Sequence, residues 1–162
     1  MPDLTLERQD TSILQLASFS LGGEEYAVEI SMVQEIVRMT SVTRVPRAPA
    51  FVEGVVNLRG KIVPVIDLRR RFNLPPIDKT KATRIIIVNV VGKTVGLIVD
   101  QVREVLRIAA DSISPPPELV ANGLDASLFK GVGQIGERLI IMLDLQHLLT
   151  ADEMAGLPGD AA

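Results

Sequence analysis

The chain has 162 residues, 47% of them apolar, which is enough for one ordinary domain or for two very small barrels sharing a core. Seventeen Lys and Arg against twenty Asp and Glu leave a formal net charge of -3, and 3% aromatics leave little for base stacking, so a nucleic-acid binder is disfavoured. The absence of cysteine excludes disulfide, thiolate-zinc and thiol-nucleophile chemistry. MPDLTLERQD has no signal-peptide pattern and no run reaches the roughly 20 apolar residues of a bilayer span, so a cytoplasmic protein without direct membrane insertion is expected.

In chain order, residues 1–12 read as a flexible end. LASFSLGG (16–23) reads as a strand that stops at Gly22-Gly23, a pair suited to a tight hairpin turn. YAVEISMVQEIVRMTSVTRVP (26–46) continues the strands, and Ser31 with Gln34 offers a capping box for a short helical turn over Ser31–Val37. GVVNLRGKIVPVIDL (54–68) sets Arg59-Gly60 between two apolar strand-forming runs. NLPPIDKTKAT (73–83), polar and proline-bearing, reads as a connector. IIIVNVVG (85–92) is another strand, with Gly92-Lys93 as its turn, and VGLIVDQVREVLRI (95–108) follows with Asp100 as a helix cap. SPPPELVANGLDASLFK reads as a loop and GVGQIGERLIIMLDL (131–145) as a last hairpin. Thr150 and Glu153 form a second capping box, predicting a short helix over about 151–157, before 158–162 fray.

An internal repeat organises these segments. At an offset of 69 residues, Val33 meets Val102, Glu35 meets Glu104, Arg38 meets Arg107 and Pro46 meets Pro115. Downstream the offset is 77, and GVVNLRGKIVPVIDL overlies GVGQIGERLIIMLDL. Short strands rich in Val and Ile, bounded by Gly and Pro, imply two small β-barrels packed side by side, because closure hides strand edges. The strands IIIVNVV, IVPVIDL, LIIMLDL and GLIVDQV are apolar at both parities. Part of that surplus must line the contact between the barrels, and the rest is available to other proteins.

No catalytic constellation emerges. His147 has no second histidine or cysteine to complete a metal site, and no phosphate-cradling loop or nucleophile elbow is present. Asp67 and Asp144 could pair as acid and base in a hydrolase, but they are repeat equivalents, which is expected of strand-end residues. Glu35 with Glu104 and Arg38 with Arg107 read as structural surface charges. Arg59 has no such twin, since its equivalent is Gly136. That asymmetry suggests a specific contact in the first copy, within the protein or with a partner.

GVVNLRGKIVPVIDLRRRF (54–72), YAVEISMVQEIVRM (26–39) and VGLIVDQVREVLRI (95–108) resemble CheW, the coupling-protein family of bacterial chemotaxis, over about Ile13 to Met154. The resemblance implies a mainly β fold of two tandem five-stranded SH3-like β-barrel subdomains around a shared hydrophobic core. It gives a single CheW-like domain at 13–154, with a first barrel at about 13–72, a connector at 73–83 and a second barrel at about 84–149. It also implies no catalysis, no cofactor and no metal. The implied partners are the regulatory domain of a CheA-type histidine kinase and the cytoplasmic tip of methyl-accepting chemoreceptors, with recruitment to receptor arrays at the inner face of the membrane. By position, the family's receptor-binding residues are Val33, Glu35, Gly54, Arg59, Gly96, Val102 and Val105. Kinase-binding residues are Ile36 and Val42, with a second contact at Ser114 and Leu119, where other members carry a larger basic or aromatic residue. Within the family Arg59 and Glu35 are close enough to pair. The alternative is a nucleic-acid-binding tandem β-barrel protein.

Overall fold

The computed structural model describes residues 12–115 and 128–149. Leu119, the helix expected over 151–157 and both chain ends lie outside the described residues. The described residues form eleven strands: β1 (Ile13–Leu21), β2 (Glu24–Glu29), β3 (Val33–Arg38), β4 (Val52–Leu58), β5 (Lys61–Asp67), β6 (Arg84–Val90), β7 (Lys93–Val99), β8 (Gln101–Ala109), β9 (Ile113–Ser114), β10 (Phe129–Ile135) and β11 (Arg138–Leu143). They make a six-stranded sheet in the order β8-β1-β2-β11-β10-β9 and a five-stranded sheet in the order β3-β6-β7-β5-β4, hereafter barrels A and B.

The expected split into a barrel of 13–72 and a barrel of 84–149 is corrected by this topology. Each repeat lends its first hairpin to the other. β1–β2 joins barrel A through a parallel contact of β2 with β11, Tyr26 opposite Ile141, and β6–β7 joins barrel B through a parallel contact of β5 with β7, Val65 opposite Gly96. The chain crosses between barrels at a 3-10 turn, Ile30–Met32, and again at Asp100. Barrel A has six strands rather than five because the chain after β8 turns at Ala110–Ser112 and pairs again as β9, Ser114 opposite Val132. In the first copy the same stretch makes only a single bridge, Thr43 to Val55, which closes barrel B.

The doubly apolar strands are explained by three packed clusters. Leu16, Ala27, Leu106, Ile108, Ile140 and Met142 fill barrel A, and Val56, Val63, Val65, Ile85, Ile87 and Ile98 fill barrel B. Alternate residues of the same strands, among them Ile86, Val88, Leu97, Phe19 and Leu143, face a third cluster between the barrels. A strand that buries both faces needs apolar residues at both parities. Four of the five aromatic residues stand in this central layer, with ring centroids 6.0 Å apart for Phe19–Tyr26, 5.5 Å for Tyr26–Phe72 and 5.8 Å for Phe72–Phe129. Burial there pushes the Tyr26 hydroxyl above its ordinary pKa, with Glu24 adding to the effect.

Local chemistry follows the sequence with small shifts. Gly22-Gly23 takes positive φ at both turn positions. The matching turn is Val91-Gly92, one residue earlier than Gly92-Lys93, with Val91 at φ 49° and the Gly92 amide donating to Asn89 Oδ1 at 3.0 Å. The helical turn at Ser31 is a single 3-10 turn with no side-chain cap, and Val33 already belongs to β3. Asp67 and Asp144 cap one-turn helices at Leu68–Arg71 and Leu145–His147, accepting from the amides of Arg69 and Gln146 at 3.0 Å. These are strand-end roles, one in each copy.

Asp100 does not cap a helix either. It ties the barrels together. Its carboxylate accepts from Arg69 Nε at 2.9 Å, Arg69 Nη2 at 2.7 Å and the Gly22 amide at 3.0 Å, joining the β1–β2 turn of barrel A to the end of β5 in barrel B. Burial works to raise its pKa, but the hydrogen bonds from Arg69 and Gly22 outweigh it and hold the carboxyl below its ordinary range. A carboxyl depressed in the folded state contributes stability above its unfolded pKa and loses it as pH falls through the folded value. Asp100→Asn should therefore destabilise by about 2 kcal/mol at pH 7. The difference from wild type in urea melts should shrink below about pH 4.

Candidate functional site

The expected site residues separate by burial. Gly54 and Gly96 are interior. Gly96 lies opposite Val65, where a Cβ would stand 2.6 Å from Ile85 Cγ2, and Gly54 sits at a register shift of β4, where a Cβ would stand 2.3 Å from the Thr43 carbonyl oxygen. At both positions close packing in barrel B leaves no room for a side chain. Val33 on β3 and Val102 on β8 are half-buried, and both pack against the central cluster, so the repeat brings them to the seam between the barrels. Val42 is half-buried against the barrel B core, and Ser114 is exposed on β9.

Ile36 and Val105, repeat equivalents, are both exposed, as are Ile62 and Leu139, which are equivalent at the 77-residue offset. Each barrel thus carries two apolar residues on the outside at matching places, Val105 at 56% and Leu139 at 59% exposure being the more open pair. Reading the two β-hairpins for strand formation alone did not single out Ile62 or Leu139. Their signal was an isoleucine and a leucine at the same step after a turn in both copies.

Glu35 and Arg59 form an ion pair, the carboxylate on β3 and the guanidinium at the β4–β5 turn. β3 and β4 are the two edges of the five-stranded sheet, so the pair spans the closure of barrel B. Glu35 raises the Arg59 pKa by hydrogen bonding and charge. The expectation that the second copy lacks this arginine needs correction. Gly136 does occupy the equivalent of Arg59, but Arg138, two residues on, donates to Glu104, the equivalent of Glu35, at 2.9 Å. Arg138 also holds Glu25 at 2.5 Å, and Arg103 lies 3.5 Å from the same carboxylate. Burial works to raise the Glu25 pKa, and the Arg138 hydrogen bond leads the effects that bring it below its ordinary value. Position-by-position alignment missed Arg138 because a long side chain reaches the same partner from the next outward position of the strand.

What distinguishes Arg59 from Gly136 is a side chain on a left-handed turn residue. Arg59 has φ 51° beside Gly60 at φ 86°, so both turn residues are left-handed. Gly136 makes the corresponding left-handed turn, φ 60°, without a side chain.

Among the described residues no group of three or more His, Cys, Asp or Glu is placed to hold a metal. His147 Nδ1 lies 2.8 Å from Asp144 Oδ2 on the surface, a contact between a one-turn helix and its own cap. Among the same residues no helix is long and apolar enough to cross a membrane.

The CheW-like domain family model matches residues 15–153. The chemotaxis protein CheW of Klebsiella aerogenes is 42% identical over 137 residues, covering 85% of this chain and 82% of that protein. The Bacillus subtilis chemotaxis protein CheW is 37% identical over 144 residues, covering 89% and 92%. The crystal structure of the scaffolding protein TtCheW from Thermoanaerobacter tengcongensis superposes with a TM-score of 0.80 at 40% identity, covering 88% of this chain and 96% of that one. With two interleaved barrels, an ion-paired hairpin at the closure and these relatives over nearly its whole described length, the chain belongs to the CheW family of chemotaxis proteins.

Proposed function

We propose that this chain is a non-catalytic scaffold that couples chemoreceptors to a CheA-type histidine kinase and transmits receptor state to kinase activity. The receptor tip seats at the seam between the barrels, against Val33 and Val102, with Val105 beside it and Glu35–Arg59 at its rim. Gly54 and Gly96 set the shape beneath. The kinase's regulatory domain docks on barrel B at Ile36 and Val42, with a second contact at Ser114 and Leu119. Coupling needs only that the receptor's alternative conformations make different contacts within the complex, which shifts the kinase between its states. This assembly is cytoplasmic, at receptor arrays on the inner face of the membrane.

The observation that carries this reading is the cost of Arg59. A non-glycine residue in the left-handed region costs roughly 1–2 kcal/mol, whereas an exposed ion pair returns about 0–1 kcal/mol. At 73% side-chain exposure the Glu35 pair gives no stability reason for an arginine where Gly136 serves the second copy. The nucleic-acid reading is weaker for the same kind of reason, because Phe19, Tyr26, Phe72 and Phe129 are all buried and unavailable for stacking.

Co-sedimentation with receptor-bearing membranes, with and without the kinase, tests the proposal. Arg59→Gly should keep or raise the melting temperature while weakening receptor co-sedimentation and leaving most kinase binding intact. Val33→Glu should remain folded and lose receptor binding, a loss on the order of 2 kcal/mol. Retention of a folded Val33→Glu protein at the wild-type level would remove Val33 from the site.

A further inference from the structure

Charge is divided unevenly between the barrels. Residues 33–99, which contain all of barrel B, carry twelve Lys and Arg against four Asp and Glu, a net of +8. The described residues outside that span carry four against eight, a net of -4. The overall charge of -3 conceals a basic barrel.

Its sharpest feature is a cross-strand pair of arginines. Arg38 lies directly opposite Arg84 in the β3–β6 register, and like charges so placed destabilise a sheet. Neither is neutralised. The Arg84 guanidinium donates to the carbonyls of Lys81 at 2.7 Å and Thr83 at 3.0 Å, and Arg38, Lys81 and Arg84 make no ion pair among the described residues. Side chains alternate along a strand, so Arg38 shares its face of β3 with Ile36, two residues away. The burial pattern of β3 agrees, with Ile36 and Arg38 both exposed.

We infer that Arg38, Arg84 and Lys81 extend the Ile36 surface as an electrostatic docking site for an acidic patch on a partner protein, here the kinase's regulatory domain. The inference rests on the kinase reading above and adds the chemistry of that contact. An apolar residue bordered by cations matches a protein interface, with an apolar centre and a charged rim. Binding to anionic lipid calls for clusters of roughly four to eight cations, more than this face supplies. Complementary charge at a rim acts mainly on the rate of encounter and its salt dependence.

The test is stopped-flow association of the full chain with the regulatory domain of the same organism's kinase over a range of NaCl concentrations. For wild type the on-rate should fall as salt rises. In Arg38→Gln/Arg84→Gln it should be about tenfold lower at low salt and nearly salt-independent, with the off-rate little changed, while Arg38→Lys/Arg84→Lys should recover most of the rate. Wild-type kinetics in the glutamine variant would overturn the inference and leave the kinase reading standing. If wild type fails to bind the kinase domain, the kinase reading falls, and a fluorescent deca-glutamate peptide decides the rest. Salt-sensitive binding by wild type that the glutamine variant loses supports an acidic protein partner, and equal binding by both overturns it. Vesicles containing 30% phosphatidylserine serve as the contrast. If arginine-dependent binding is found to vesicles and not to the peptide, the surface is a lipid site and the inference is wrong.

Discussion

Phe72→Ala should destabilise the protein by about 3–5 kcal/mol, measured as a drop on the order of 10 °C in melting temperature. Phe72 stands between Tyr26 and Phe129 in the layer shared by the barrels, so truncation opens a cavity and breaks two ring contacts at once. The loss falls on both barrels because Tyr26 belongs to β2 and Phe129 to β10, while Phe72 follows the one-turn helix after β5. Urea melts followed by Tyr26 fluorescence and by far-ultraviolet circular dichroism should shift together. A drop of less than about 1 kcal/mol would mean that the central layer repacks around the gap.

Gly54→Ala should cost about 3 kcal/mol by a different route. The new Cβ meets the Thr43 carbonyl oxygen at 2.3 Å and Val42 Cγ1 at 2.7 Å, and the first of these is backbone that cannot swing aside. The φ of 154° adds strain for a residue with a side chain. Relief requires moving the Val42–Thr43 segment away from β4, which lengthens the mutual bonds of Thr43 and Val55, now 2.9 and 2.8 Å. Hydrogen exchange should therefore speed up first at the amides of Thr43 and Val55, while those of β10 and β11 remain protected. Kinase binding should weaken along with them if Val42 belongs to that contact. Uniform loss of protection in both barrels would show instead that the closure of barrel B opens only with global unfolding.

The repeat was legible because its signals are local. Strand lengths, turn glycines and the paired Asp67 and Asp144 caps all depend on residues within a few positions of one another. The doubly apolar strands also announced that both faces are covered, although only the structure divides Ile85 and Ile87 from Ile86 and Val88. Pairing across the chain was not legible. An offset of 69 states which residues are equivalent and says nothing about which strands bond, so the exchange of β1–β2 for β6–β7 escaped. The same blindness hid Arg138, whose reach to Glu104 depends on side-chain length and strand pitch rather than on aligned position. Net charge misled in a third way, since a sum over the chain erases the contrast between a basic barrel and an acidic one.

The hairpin exchange makes each repeat dependent on the other for a complete sheet. One repeat on its own lacks two strands of the sheet in which it ends, and another copy of the repeat supplies the matching hairpin. Two identical single-repeat chains trading first hairpins across a twofold axis would build this whole architecture, with each copy supplying what the other lacks. In the single chain the 73–83 connector takes the place of that twofold association by joining the two copies covalently. Two copies in one polypeptide need not be identical, and the turn position that holds Arg59 in one holds Gly136 in the other.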